Sequence, residues 1–248
     1  MRSFVINLER SHDRRAAMQS VLRDAGLDVE FFPAVDGRAL DRRLYPQADG
    51  MNAGELGCYL SNVRIWQWLA DPDASGDCDS VLVFEDDVEI SPALGRLCED
   101  LRRLPLQIDM VRLASLMPCV GIGLLSLDGH HRLLVPSRNP SGTQGYWLSR
   151  AGARRLLACY GTPRRPIDKQ LDLAWRDSLR VLLLDPPAVR PREGVASTIG
   201  PGLRQWRSAR WLRKLRKWRQ RRAAQRLARR LHRELHAAGR PAAGTGAV

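Results

Sequence analysis

The sequence predicts an α/β fold, with a mainly parallel sheet flanked by helices and a basic amphipathic helical tail behind it. Two observations carry that expectation. Short apolar runs of strand length alternate with longer segments whose apolar residues recur at helical spacing, which is the pattern of βαβ units. Charge is also divided unevenly along the chain. The 248 residues carry a formal net charge of +13. Residues 203–235 alone hold 14 of the 40 Lys and Arg but one of the 27 acids. The body, residues 1–200, is therefore neutral and long enough to bury its own core. The excess charge sits in an appendage, 201–248, set off by the cluster "IGPG".

The elements follow in order. Residues 3–8, "SFVINL", read as a buried strand. A helix follows over 11–26, with Ser11 as N-cap, Gly26 as its stop and Ala17, Val21 and Leu22 on the apolar stripe. "VEFFPAV" (29–35) is a second strand, and the next stretch is loop with a short helical turn. Residues 54–70 form a helix, with Leu56, Leu60, Val63 and Trp66 or Trp68 near helical spacing. A turn-rich loop leads into the strand "SVLVFEDD". "ALGRLCEDLRRL" is a helix and 109–115 another buried strand. Asp128-Gly129 between two apolar runs over 120–135 signals a hairpin. Residues 143–149 form a strand feeding the helix "RAGARRLLACY"; 167–178 is helical, and "LRVLLLDPP" is the last strand.

Several classes are disfavoured. The five cysteines are scattered and form no C-x-x-C pair, which argues against a disulfide framework and a zinc site and for a reducing cytoplasm. The first residues lack the apolar core of a signal peptide. No apolar run approaches the roughly 18–20 residues that cross a membrane.

The informative stretch is "VLVFEDDVEI" (81–90), where four apolar residues run into Glu85, Asp86 and Asp87. Ligands of open α/β sheets sit at the carboxyl ends of strands. Adjacent carboxylates repel one another, and a hard divalent cation removes that repulsion while leaving positions for substrate phosphates. By itself the motif indicates a metal–phosphate site or a solvated acidic loop.

Its neighbours narrow the reading. "VINLERSHDRR", "FFPAVDGRAL", "GELGCYLSNVRIWQWL", "VLVFEDDVEI", "GTQGYWLSRAGARRLL" and "PIDKQL" stand in this order over residues 3–200. Together they resemble glycosyltransferase family 25, the lipooligosaccharide galactosyltransferases and the related collagen β-galactosyltransferases. The resemblance implies a GT-A-like nucleotide-sugar fold and inverting transfer of a hexose, with UDP-galactose as the donor. It also implies a divalent metal, Mn²⁺ first and Mg²⁺ as the alternative. In such enzymes the last acid of the motif ligates the metal, which points to Asp87, with Glu85 and Asp86 beside it.

Each further candidate has a plainer reading next to it. Asn7, Arg10, Arg14 and Arg15 follow the first strand, where guanidinium forks and a helix N-terminus suit a diphosphate; the plain reading is a solvated basic face. Asp36 could accept from a uridine or ribose hydroxyl, or simply begin a turn. Glu55 could face the site or only complement a helix dipole. Asn62 stands where the family usually has His, so it can bind but cannot titrate near neutrality. Thr143, Gln144, Gly145 and Tyr146 are expected to line the donor or acceptor pocket, with core packing as the alternative for Tyr146. Inverting transfer needs a base for the acceptor hydroxyl. Asp168 is the first choice, with Asp172 one turn on as the second; helix capping is the plain role for Asp168.

In the tail, Leu203, Trp211, Leu215 and Trp218 share one helical face, and Ala224, Leu227, Leu231 and Leu235 another. The two faces are rotated apart, which predicts two segments or a bend near 219–222. Basic charge with interfacial Trp suits an anionic membrane surface, here bound through residues 203–235. A lipid-linked oligosaccharide acceptor on the inner face of the inner membrane would account for such attachment. A metal-dependent phosphoesterase is the competing enzyme class. It needs more ligands than the five His and these acids offer. An Arg-rich nucleic-acid-binding protein would explain the tail but not the acids.

Overall fold

The structure, a computed structural model, describes residues 1–192, 194 and 210–239. The chain opens with β1 (Arg2–Asn7), α1 (His12–Asp24) and β2 (Glu30–Pro33). Two 3-10 turns, Arg42–Leu44 and Pro46–Ala48, lead to α2 (Ala53–Ala70) and the short α3 (Pro72–Ser75). Then come β3 (Ser80–Glu85), β4 (Val88–Ile90), α4 (Leu94–Arg102) and β5 (Met110–Arg112). The predicted hairpin is β6 (Gly121–Ser126) and β7 (Arg132–Pro136). The remainder is β8 (Gly145–Ser149), α5 (Arg150–Tyr160), α6 (Ile167–Leu171), β9 (Val181–Asp185), β10 (Val189–Pro191) and α7 (Arg210–Ala237).

The large sheet has the order β2-β1-β3-β8-β5-β9-β7-β6. Its site-bearing strands are parallel: β1 pairs with both β2 and β3, and β5 with β9. The strand β8 enters antiparallel between β3 and β5, and the hairpin closes one edge antiparallel on β9. The hairpin itself was expected, but the sequence pattern did not reveal the reversals at β8 and at the β7–β9 pairing, because a strand buried on both faces reads the same in either direction.

Alternate side chains of β3 build two cores. Leu82 and Phe84 face one cluster, shared with Met18 and Leu22 of α1, Leu94 and Leu97 of α4, and the inner stripe of α7. Val81 and Val83 face the other, with Leu56, Ile65 and Trp66 of α2 and Leu156 of α5. Helices cover both faces, as expected for the α/β class.

Two expectations about helices are corrected. The helix predicted over 167–178 is α6, only five residues long. Turns follow, ending at Ser178 with φ +54°. The basic tail is not two segments. It is one 28-residue helix, with Gln220, Ala224, Ala228, Leu231 and Leu235 buried. These recur at three- and four-residue spacing, so one straight stripe meets the β6–β7 edge of the sheet. The bend was expected because Leu215 and Trp218 fall off that stripe. They remain exposed, Trp218 at 52%. Leu203 and the 200 boundary lie outside the described residues, as does the Trp211 side chain. Among the described residues, no helix is long and apolar enough to cross a membrane.

Candidate active site

Because β1, β2 and β3 run parallel, their carboxyl ends open at the same edge of the sheet. Register places Ile6 beside Glu85 and Asn7 beside Pro33. The loop after β1 delivers Arg10 and the first turn of α1 Arg14, the loop after β2 delivers Asp36, and the end of β3 with its following turn delivers the three acids. These residues line a cavity of about 320 Å³. Gly37 and Gly57 allow its wall to close: a Cβ on Gly37 would lie 1.7 Å from the Ala53 carbonyl oxygen. A Cβ on Gly57 would lie 2.5 Å from that of Val35. The Val35 amide donates to Ser61 Oγ at 2.8 Å, tying the β2 loop to α2.

Each acid in the cavity has its own partner. Arg14 donates to Asp86 Oδ1 at 2.7 Å and to Asp87 Oδ2 at 3.2 Å. Asn7 Nδ2 donates to the other Asp86 oxygen at 2.7 Å. Arg10 pairs with Asp36, which also accepts from the Arg38 amide at 3.0 Å. That Arg10 bond, with the amide, holds the Asp36 pKa below its ordinary value. Glu85 accepts from Thr143 Oγ1. Burial pushes the Glu85 pKa up to about 7, and the neighbouring Asp87, Asp86 and Asp168 charges push the same way. Burial also raises the Asp87 pKa, against the pull of Arg14. Asp168 is close enough to Glu85 and Cys58 to raise both pKa values, and it is bridged to Lys169 at 2.8 Å.

The structure places several expected site residues elsewhere. Tyr146 is fully buried, its hydroxyl donating to Asn62 Oδ1 at 2.7 Å and accepting from Trp66 Nε1 at 3.1 Å. Both Tyr146 and Asn62 thus belong to the core, where two polar groups satisfy each other. Glu55 forms a capping box with Asn52: each accepts from the other's amide at 2.8 Å. Arg15 lies over the Phe31 ring, 4.5 Å from its centroid. Gly145 packs against Val189, and Asn7 steadies Asp86 from behind. Gln144 does line the cavity. Asp172 lines a different one.

The sequence model described as "Glycosyltransferase family 25 (LPS biosynthesis protein)" matches residues 1–118. The matched part carries β1, β2, β3 and the acids. A "Glycosyltransferase 25 family member" of Drosophila pseudoobscura pseudoobscura is 39% identical over 193 residues, 67% of this chain and 28% of that protein.

Residues 1–118 of the chain belong to glycosyltransferase family 25.

Other relatives point in different directions about activity. Procollagen galactosyltransferase 2 of Mus musculus is 29% identical over 69% of this chain and 30% of its own length. An "Inactive glycosyltransferase 25 family member 3" of the same species is 32% identical over 69% of this chain and 31% of its own. The chain spans less than a third of these relatives, so activity has to be argued from its own residues.

Some of the residues this family-25 site uses were not singled out from sequence. Arg38, Cys58, Ser61 and Arg192 also line the cavity. The Arg192 amide donates to the Asp87 carbonyl at 2.8 Å, because β10 pairs with β4 just beyond the acids. Nothing local in "VRPRE" signals that approach. Arg112 did carry a signal, a charged residue inside the apolar strand "DMVRLAS". It is 2% exposed, and its Nη2 donates to the Ser141 carbonyl at 3.0 Å and to that of Gly142. Burial lowers its pKa, while Asp172, Asp168 and Glu85 hold its charge.

The acidic turn fits a hard cation of the kind that binds through one or two carboxylates plus substrate phosphates. Among the described residues, no group of three His, Cys, Asp or Glu gathers to hold a metal unaided. Arg14 already engages both Asp86 and Asp87, so a cation here competes with a guanidinium.

Proposed function

We propose that the protein is an inverting hexosyltransferase that moves a sugar from a UDP-sugar, UDP-galactose first, to a hydroxyl of a glycan acceptor. The observation that carries this is one cavity in which Arg10 and Arg14 face Asp36, Glu85, Asp86 and Asp87 at the carboxyl ends of three parallel strands. Arg14 and the α1 N-terminus supply positive charge for a diphosphate. Asp36, in the same cavity, suits the ribose hydroxyls. Asp168 accepts the proton as the acceptor oxygen attacks the anomeric carbon and UDP departs from the opposite face. Asp87, with Glu85, would hold the divalent cation, Mn²⁺ or Mg²⁺, which supplies charge neutralisation for the leaving diphosphate.

The acceptor we propose is a lipid-linked surface oligosaccharide, reached from the inner face of the inner membrane. The element that meets the membrane is the outer face of α7. Its apolar stripe is spent on the sheet, but Lys214, Lys217, Arg221 and Arg222 are exposed, and Arg222 lies 4.7 Å over the Trp218 ring. Lysine, arginine and an interfacial Trp suit an anionic surface.

The test is UDP release from UDP-sugars with Mn²⁺ and a glycan acceptor. Turnover that Asp87→Ala removes supports the reading. Absence of turnover with every UDP-sugar, together with no UDP binding, overturns it.

A further inference from the structure

A second cavity, of about 230 Å³, is lined in part by Asn139 and Pro140, a few residues before Gln144 of the first. It is enclosed by α6 and the turn after it, by β7 and β9, and by α7. Its size falls just below the roughly 300–1,000 Å³ of pockets for drug-sized ligands, so it suits a single ring.

Its polar atoms indicate what kind of ring. Asp172 is 7% exposed and lines the cavity. Its Oδ2 accepts from Ser141 Oγ at 3.5 Å, while Oδ1 has no hydrogen-bond partner. Trp175 lines the same cavity, and its buried Nε1 also has no partner. Buried polar groups are nearly always satisfied, so an unpaired acceptor and an unpaired donor on one cavity wall call for a ligand with both. Three of the four arginines around it are already engaged, Arg112 with the 141 and 142 carbonyls and Arg180 and Arg230 with Glu234, while the fourth, Arg226, is exposed. Leu171, Leu179 and Leu227 supply apolar wall.

We infer that this cavity binds one neutral sugar ring, a pyranose whose hydroxyl donates to Asp172 Oδ1 and whose oxygen accepts from Trp175 Nε1. The C–H face of such a ring matches the leucines. An anion matches poorly, since it has no proton for Oδ1 and meets a carboxylate in the wall. In the transfer proposed above, the cavity would hold one unit of the acceptor glycan. That role rests on the reading of the first cavity; the binding itself does not. It also gives α7 a use beyond the surface, because the helix forms one side of the pocket.

The test uses the full chain with methyl β-galactoside, methyl β-glucoside and methyl α-mannoside as probes. Saturation-transfer NMR reads glycoside binding, and calorimetry reads UDP binding in parallel. The expected result is saturation transfer to at least one glycoside. Asp172→Asn and Trp175→Phe should each weaken it about tenfold, the scale of one lost hydrogen bond to a buried group. Trp175→Phe keeps an aromatic ring while removing the N–H donor, so it remains informative if Asp172→Asn folds poorly. Arg14→Met should weaken UDP and leave the glycoside signal intact, which separates a failure of this pocket from a failure of the donor site. The inference is overturned if no glycoside shows transfer, if Trp175→Phe binds the glycoside as the native chain does, or if inorganic phosphate displaces it.

Discussion

The two cavities differ in how their carboxylates are treated. In the first, every acid has a partner: Asp36 has Arg10, Asp86 has Arg14 and Asn7, Asp87 has Arg14, and Glu85 has Thr143. In the second, Asp172 keeps an oxygen without a hydrogen-bond partner. Paired charges in a cleft prepare a site for a ligand that itself carries charge and can exchange with those partners. A lone unpaired acceptor prepares one for a neutral, hydroxylated ligand. On the proposed function, the difference puts donor and acceptor chemistry in separate places.

Breaking that contrast should cost most where charge is handled. Asp87→Asn is expected to lower the transfer rate by about 100-fold or more, since several kcal/mol of leaving-group stabilisation depend on that carboxylate. Steady-state UDP release checks it, and a drop under threefold would move the diphosphate away from the turn after β3. Next in size is the docking of α7 on the sheet, which also holds its wall of the second cavity in place. Leu231 is fully buried, and Leu231→Ala should lower stability by about 2–4 kcal/mol in urea unfolding. A change within about 0.5 kcal/mol would mean that α7 is not part of the fold.

A smaller effect comes from Glu85, whose pKa rises from 4.5 to about 7 in the folded protein. Between those values the folded state holds a proton that the unfolded state has released. In metal-free protein, raising the pH through that window should therefore remove stability, on the order of 2 kcal/mol in all. Glu85→Gln should flatten that slope, as read from chemical denaturation between pH 5 and pH 8. An unchanged slope would show that Glu85 is solvated. The smallest effect is at the surface. Trp218→Ala should leave stability within about 0.5 kcal/mol and weaken binding to anionic liposomes, measured by co-sedimentation. Unchanged sedimentation would remove α7 from any membrane role.

Legibility in the sequence followed the same division. The first cavity was readable because its residues sit immediately after apolar strands: Arg10 after "VINL", Asp36 after "FFPAV", the acids after "VLVF". Strand ends are local features, and the parallel register brings them together without further information. Tyr146 and Asn62 were misplaced because a buried hydrogen-bonded pair and a pocket-lining pair look alike in sequence; only the packing of α2 on β8 decides between them. The second cavity could not be read at all. It depends on a helix starting at Arg210 returning to the β6–β7 edge, a contact between segments far apart in the chain. Composition made that helix look like an appendage. Its charge is real, but one stripe of alanine and leucine is enough to dock it.

The most direct measurement of the central claim is a crystal structure with a bound UDP-sugar and Mn²⁺. The diphosphate is predicted to lie in the first cavity, between Arg14 and Asp87, with the uridine ribose toward Asp36. A nucleotide seated instead beside Asp172 and Trp175, or bound outside both cavities, would contradict it.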